Sequence, residues 1–317
     1  MPDLKTKVGG IEFKNPVLVA SGTCGVAGRE FTSYFKPSEL GGLVTKSIGI
    51  KSWTGNPTPR IVEVQPGGIL NSIGLQNPGI EYFIKNELPF LVENNVTTIL
   101  NVVGKSLDEY IQVVDYVKDK KEFVAIELNL SCPNVEGGLD FSQDPKKANK
   151  VVSEIKKITK TPVWAKLSPN VADITEIAKA CVDGGVDGLS MINTVLGLAI
   201  NSWTRKPVLP RAVGGYSGPG IKPIALRMVW ETYKKFPNTP IIGIGGIHSA
   251  YDAVEFLLAG ASCIQVGTAN FANPKASVEI ISGLNKYLEQ MKISSVNELV
   301  GEAHRTSDKR QAVSAKH

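Results

Sequence analysis

The stretch Glu127-Leu128-Asn129-Leu130-Ser131-Cys132-Pro133-Asn134-Val135 brings two amides, a hydroxyl and a thiol together in one short span. The amides could hold a planar polar ligand, and a thiol beside them could move a proton. The apolar run Phe123 to Ile126 just before it reads as a buried strand. Pro133 fixes its own φ and lacks a backbone donor, so the strand cannot simply continue. Glu136-Gly137-Gly138-Leu139-Asp140 follows, flexible enough to act as a lid. A lone cysteine at a strand end is more often a small packing residue, so the rest of the chain must support the chemical reading.

The elements that would position these groups alternate along the chain. Strand candidates are 17–21, 42–46, 98–103, 124–130, 162–167, 188–192, 240–245 and 263–267, with helical stretches at 108–118, 146–158, 174–182, 221–233 and 250–258. Strands that are apolar throughout, joined by connections long enough for a crossover, indicate parallel pairing. Eight of them close a (β/α)8 TIM barrel; an open doubly wound sheet is the alternative. Three segments exceed a bare barrel. Val8-Gly9-Gly10-Ile11 within residues 3–15 signals a hairpin that could cover the N-terminal mouth. Residues 48–80 and 193–220, rich in Gly, Pro and Asn, are too long for ordinary βα loops and would roof the C-terminal face. The chain is expected to form one barrel domain over 1–317, with a polar, poorly ordered tail from about Gly301.

In such a barrel the C-terminal strand ends converge on one site. They carry Ser21, Thr45-Lys46-Ser47, Asn101, Asn129 with Cys132, Lys166, Asn193-Thr194, Gly245-Gly246 and Gly267-Thr268. Two lysines among several amides are more than a core admits unless they are paired or functional. The glycine turns after the seventh and eighth strands suit a phosphate held by backbone N–H groups. Gly243-x-Gly245-x-x-His248 misses the dinucleotide fingerprint at its third position, so an NAD site is not supported there. A phosphate site with strand-end lysines admits two chemistries. One is a Schiff-base aldolase or lyase with Lys46 or Lys166 as nucleophile. The other is a flavin enzyme with a lysine at the N1–C2 edge of the ring, to which Cys132 and the amides belong more naturally.

Composition narrows the classes. The 317 residues are 42% hydrophobic and 21% charged, ordinary for a soluble globular chain, with a formal charge of +5. No basic run interleaves with aromatics, so nucleic acid is not indicated. Neither a signal peptide nor a segment of membrane-spanning length is seen, and the expected location is the cytoplasm. Cys24, Cys132, Cys181 and Cys263 are scattered, against a disulfide framework, a metal site or an iron–sulfur cluster held by this chain alone. Cys24 is the lesser rival to Cys132.

Asn129-Leu130-Ser131-Cys132-Pro133-Asn134-Val135, Asn71-Ser72-Ile73-Gly74-Leu75-Gln76-Asn77-Pro78-Gly79, Thr45-Lys46-Ser47 and Ile192-Asn193-Thr194 together resemble dihydroorotate dehydrogenase. The resemblance runs through nearly the whole chain in order and includes Ser217-Gly218-Pro219-Gly220. It implies FMN-dependent oxidation of dihydroorotate to orotate in pyrimidine biosynthesis. Cys132 would take the C5 proton while C6 gives hydride to flavin N5. Lys46, Asn71, Ser72, Ile73, Gly74, Leu75, Asn129, Asn134, Asn193 and Thr194 would hold the substrate. Ser21, Lys46, Ser47, Asn101, Asn129, Lys166, Ile192, Gly218, Gly245, Gly246, Gly267 and Thr268 would hold FMN, with Lys166 at the N1–C2 edge.

A cysteine base marks the soluble branch of that family; the membrane-bound branch uses serine and an N-terminal extension. Within the soluble branch the wording around Ile73–Gly79 and Ser217–Gly220 resembles the NAD-linked group rather than the fumarate-linked one. The resemblance therefore implies a partner subunit with FAD and a 2Fe–2S cluster, and a homodimer joined into a heterotetramer. Dihydropyrimidine dehydrogenase is a near relative, but Asn134 and the Asn71 motif favour a carboxylate-bearing substrate. A non-catalytic binding barrel has no need of Cys132.

Overall fold

The structure is a computed structural model that describes residues 1–64, 67–131 and 141–305. Eight parallel strands close on themselves: β1 (Val17–Val19), β2 (Gly42–Val44), β3 (Thr98–Val102), β4 (Phe123–Asn129), β5 (Val163–Leu167), β6 (Gly188–Met191), β7 (Ile241–Ile244) and β8 (Ala261–Val266). β8 returns to β1 with Ile264 opposite Val17, so no edge is left open. Each matches an expected strand. Most are buried on both faces, which is why they read as continuous apolar runs rather than alternating ones.

Nine helices accompany them among the described residues: α1 (Ile80–Asn86), α2 (Leu88–Glu93), α3 (Leu107–Val117), α4 (Pro145–Ile158), α5 (Ile174–Asp183), α6 (Lys222–Lys235), α7 (Ala250–Leu258), α8 (Ala269–Ala272) and α9 (Ala276–Met291). Their starts are locally encoded. Ser106, Asp144 and Asp173 each accept from backbone N–H groups of the first turn, and Ser249 and Asp252 cap α7 reciprocally. The five expected helices are these central ones, α3 to α7. None is long and apolar enough to cross a membrane among the described residues.

The segments beyond the barrel frame its two mouths. Thr6–Val8 and Ile11–Phe13 pair antiparallel across Gly9 and Gly10, whose φ values of 57° and 83° give the left-handed two-residue turn that a tight hairpin needs. Val8 and Phe13 plug the N-terminal mouth, packing with Leu18, Val44, Ile99, Ala125, Trp164, Ile242 and Cys263. At the other mouth the two long insertions join. Val195–Leu198, Val213–Ser217, Gly68–Asn71 and Ile61–Val64 form one antiparallel sheet, with Gly215 opposite Asn71. The tail expectation is corrected over its first residues. Gly301 N–H donates to the Leu257 carbonyl at 3.0 Å, and the His304 ring stacks on Trp230 with centroids 3.5 Å apart. Aromatic stacking and a backbone bond hold a segment whose polar composition alone suggests freedom.

Candidate active site

Side chains alternate along a strand, so the residues two positions beyond the apolar plug also face the bore. They are Ala20, Lys46, Asn101, Glu127, Lys166, Ser190, Ile244 and Gln265, a largely polar layer over an apolar one. Glu127 is its hub. One carboxylate oxygen accepts from Asn101 Nδ2 at 2.7 Å, and the other accepts from Ser190 Oγ at 2.6 Å and Gln265 Nε2 at 2.7 Å.

Lys166 lies in register between Asn129 on β4 and Ser190 on β6. It is 6% exposed, and among the described residues its ammonium has no hydrogen bond or ion pair. Burial pushes its pKa down, and the Glu127 charge works against that shift. Lys46, half-buried above β2, is likewise unpartnered among the described residues. Burial first, then the Arg60 guanidinium, lower its pKa, and Cys24 opposes them. Gly22, with φ 84°, runs close beside it: a Cβ there would stand 3.7 Å from Lys46 Nζ.

Above this layer the amides converge. Asn129 Nδ2 donates to Ser47 Oγ at 3.1 Å, and its Oδ1 accepts from Ser131 Oγ at 2.8 Å. Asn193 Nδ2 donates to Ser131 Oγ and reaches Asn129 Oδ1 at 3.4 Å. Thr194 N–H donates to Asn193 Oδ1 at 2.8 Å, which fixes that amide's orientation. From the roof sheet, Asn71 Nδ2 donates to the Gly215 carbonyl at 3.1 Å. Ser72 accepts twice from Asn56 Nδ2, and the Ile73 carbonyl accepts from Asn56 N–H. Gly74 and Leu75 follow at φ 72° and 54°. The Asn71–Leu75 loop is thus tied down from outside, with its residues half-exposed.

The glycine turns form a second centre. Gly218 and Gly246 have φ of 114° and 74°, and a Cβ on Gly246 would stand 3.0 Å from the Gly218 carbonyl oxygen. Gly245, φ 127°, packs over Ala225 and Ile192. Thr268 Oγ1 donates to Ser217 Oγ at 2.8 Å. Gly267 is different, since a Cβ there would meet only Ala20 and Thr23 at 3.5 and 3.6 Å. The protein itself does not require a glycine at that position.

Of the sequence-derived site residues, Cys132 and Asn134 lie outside the described residues. Ser47, Asn129 and Asn193 share one hydrogen-bonded group, Asn101 and Lys166 share the polar layer, and Asn71 meets Thr194 through Gly215. Ser21 follows β1 and is half-buried. Five residues were not anticipated: Glu127, Ser190, Gln265, Asn56 and Arg60. Glu127 had a signal, a charge in an apolar strand at the same alternation as Asn129. Cys24 loses its claim as rival base, because burial, then Glu30, push its thiol up to about 12. No group of His, Cys, Asp and Glu able to hold a metal occurs among the described residues.

These groups suit a flavin mononucleotide. Among the described residues Asn101 Oδ1 and Gln265 Oε1 are buried acceptors without partners, Lys166 is a buried lysine without one, and the glycine turns could admit a phosphate. A family model for dihydroorotate dehydrogenase matches residues 3–288. The chain is 50% identical over 301 residues to the catalytic subunit of dihydroorotate dehydrogenase B (NAD(+)) of Geotalea uraniireducens, covering 95% of this chain and 98% of that one. It is 48% identical over 300 residues to the Alkaliphilus metalliredigens protein of the same name, covering 94% and 98%. An Aquifex aeolicus protein, provisionally named dihydroorotate dehydrogenase A (fumarate), is 49% identical over 305 residues, covering 96% and 99%.

Proposed function

The chain belongs to the dihydroorotate dehydrogenase family, and on that premise we propose that it oxidises dihydroorotate to orotate with FMN. The electrons then pass to NAD through a partner subunit that carries FAD and a 2Fe–2S cluster. The observation that carries the flavin reading is Lys166, a buried lysine facing the bore that makes no hydrogen bond or ion pair among the described residues. A core charge without a partner is costly unless the group gives up its proton or a ligand completes it. FMN, when bound, supplies a two-electron acceptor for the hydrogen at C6 of the substrate.

The chain's own residues do the rest. Lys166, Asn101, Ser47 and Asn129 bind the ring edge, and Gly218, Gly245, Gly246, Gly267 and Thr268 receive the phosphate, with Ser21 and Ile192 lining the cofactor. Lys46, Asn71, Asn129, Asn134, Asn193 and Thr194 orient the substrate's carboxylate and ring amides, and the backbone of Ser72 to Leu75 supplies further donors. Cys132 takes the C5 proton. An ordinary thiol, with a pKa of about 8.5, is only partly ionised near neutrality, so the site must favour its thiolate. A pocket built to pair a substrate's polar groups rejects analogues lacking them.

Lys46 and Lys166 also keep a Schiff-base lyase in view, since burial lowers the pKa of both and so favours amine nucleophiles. One spectrum separates the readings. The purified chain should be yellow, and anaerobic dihydroorotate should bleach it while orotate appears. A colourless chain that takes up no added FMN, or a borohydride-trapped adduct on either lysine, would overturn the proposal.

A further inference from the structure

Glu127 is fully buried in the barrel bore, and nothing in the reaction described above uses it. Its partners come from around the whole bore: Asn101 on β3, Ser190 on β6, and Gln265 on β8, which lies four strands away in either direction. Each amide commits its NH2 to Glu127, which leaves its carbonyl oxygen turned away from the carboxylate. Those oxygens, Asn101 Oδ1 and Gln265 Oε1, are buried and unpaired. Lys166, in the same inward layer, is a buried cation without a partner among the described residues. Trp164 Nε1, Thr232 Oγ1 and Asn285 Oδ1 are also buried and unpaired, each on a different element; here two such acceptors share one layer with a lysine unpaired among the described residues, a grouping that is costly unless a ligand completes it. A ring edge carrying an imide N–H beside a carbonyl pairs with both kinds of group.

The charges around the layer are few. Lys46, just beyond β2, is influenced by the charges of Arg60 and Cys24, and Glu127 and Lys166 are the charged members on β4 and β5. The remaining inward residues, Ala20, Asn101, Ser190, Ile244 and Gln265, are neutral. Glu127 is the charge that offsets burial at Lys166.

We propose that Glu127 is a positioning residue for the flavin reaction: as counter-charge to Lys166 and shared acceptor of Asn101 and Gln265, it sets the charge and the hydrogen-bond polarity offered to the FMN ring. This rests on the flavin reading above. Without Glu127, Lys166 sheds its proton at lower pH in the oxidised protein and regains it when the ring becomes negatively charged on reduction.

The test is spectroelectrochemical titration of FMN in the holoprotein between about pH 6 and 9, for wild type, Glu127→Gln and Glu127→Asp. Wild type should take up close to one proton per two electrons across the range. Glu127→Gln should rise toward two in the upper half of it, and Glu127→Asp, which keeps the charge, should follow wild type. A second arm needs no substitution. Wild type should bind FMN methylated at N3 at least about tenfold more weakly than FMN, the cost of leaving buried acceptors unpaired. Superimposed profiles for wild type and Glu127→Gln, an Asp profile that follows Gln, or equal affinity for the two flavins would overturn the inference. A wild-type chain that binds no FMN would overturn the flavin reading itself, so the two failures are distinguishable.

Discussion

A buried lysine that makes no hydrogen bond or ion pair destabilises the fold that holds it, and among the described residues Lys166 is in that position, with the Glu127 charge offsetting only part of the cost. Burial keeps its pKa below the unfolded value. Between those two values the unfolded chain binds the additional proton, so stability rises with pH. The penalty is full at pH below the folded pKa, shrinks as pH climbs above it, and vanishes above the unfolded pKa of about 10.4. Lys166→Met should therefore make the flavin-free chain more stable at pH 7, on the order of 1–3 kcal/mol. The gain should fall as pH approaches about 10, while FMN retention is lost. Urea denaturation of both flavin-free chains at neutral and alkaline pH measures it; a Met variant less stable than wild type at pH 7 would show that Lys166 is already satisfied. The described cysteines tell a related story. Burial pushes the thiols of Cys24 and Cys181 up to about 12, and that of Cys263 well above its ordinary value, so none is a thiolate near neutrality.

At the scale of elements, the turns after β7 and β8 look alike in sequence and differ in space. Gly246→Ala would place a methyl 2.8 Å from the Lys222 backbone nitrogen at φ 74°, so the turn itself must shift. Gly267→Ala would meet only Ala20 and Thr23 at ordinary contact distance. The first variant should lose FMN affinity together with about 1–3 kcal/mol of stability, as expected for a strained backbone. The second should melt like wild type yet bind FMN at least about tenfold more weakly, because its methyl blocks only an approaching phosphate. Calorimetric melting beside fluorescence titration with FMN separates them. Unchanged affinity in Gly267→Ala would remove that turn from the phosphate site. The loop after β7 is further held by Asp252, which accepts from His248 N–H and Ser249 and pairs with Lys222 at 2.6 Å.

For the molecule as a whole, the substrate's electrons need a way out. The chain carries neither a dinucleotide fingerprint nor paired cysteines in its sequence, and several relatives are named as catalytic subunits of an NAD-linked enzyme. The isolated chain should therefore oxidise dihydroorotate with an artificial acceptor and fail to reduce NAD until an FAD and 2Fe–2S subunit is added. Brisk fumarate reduction by the chain alone would place it with the relative named for fumarate. NAD reduction without a partner would reveal a nucleotide site in this chain.

The sequence by itself determined the eight strands and the N-terminal hairpin, and it singled out the motif residues proposed for the site. These depend on local rules: unbroken apolar runs for strands buried on both faces, Gly-Gly for a left-handed turn, and capping residues before helices. It also marked 48–80 and 193–220 as insertions, since their length exceeds a βα loop. Only the tertiary structure decided that these two insertions pair, Asn71 against Gly215, to build one roof. Only barrel closure brought Gln265 to Glu127, 138 residues apart in the chain. A period-2 strand pattern shows which side chains share a face, but not which partner stands across the bore. Whether Lys166 is paired or bare is a property of that non-local arrangement, and among the described residues it has no hydrogen bond or ion pair.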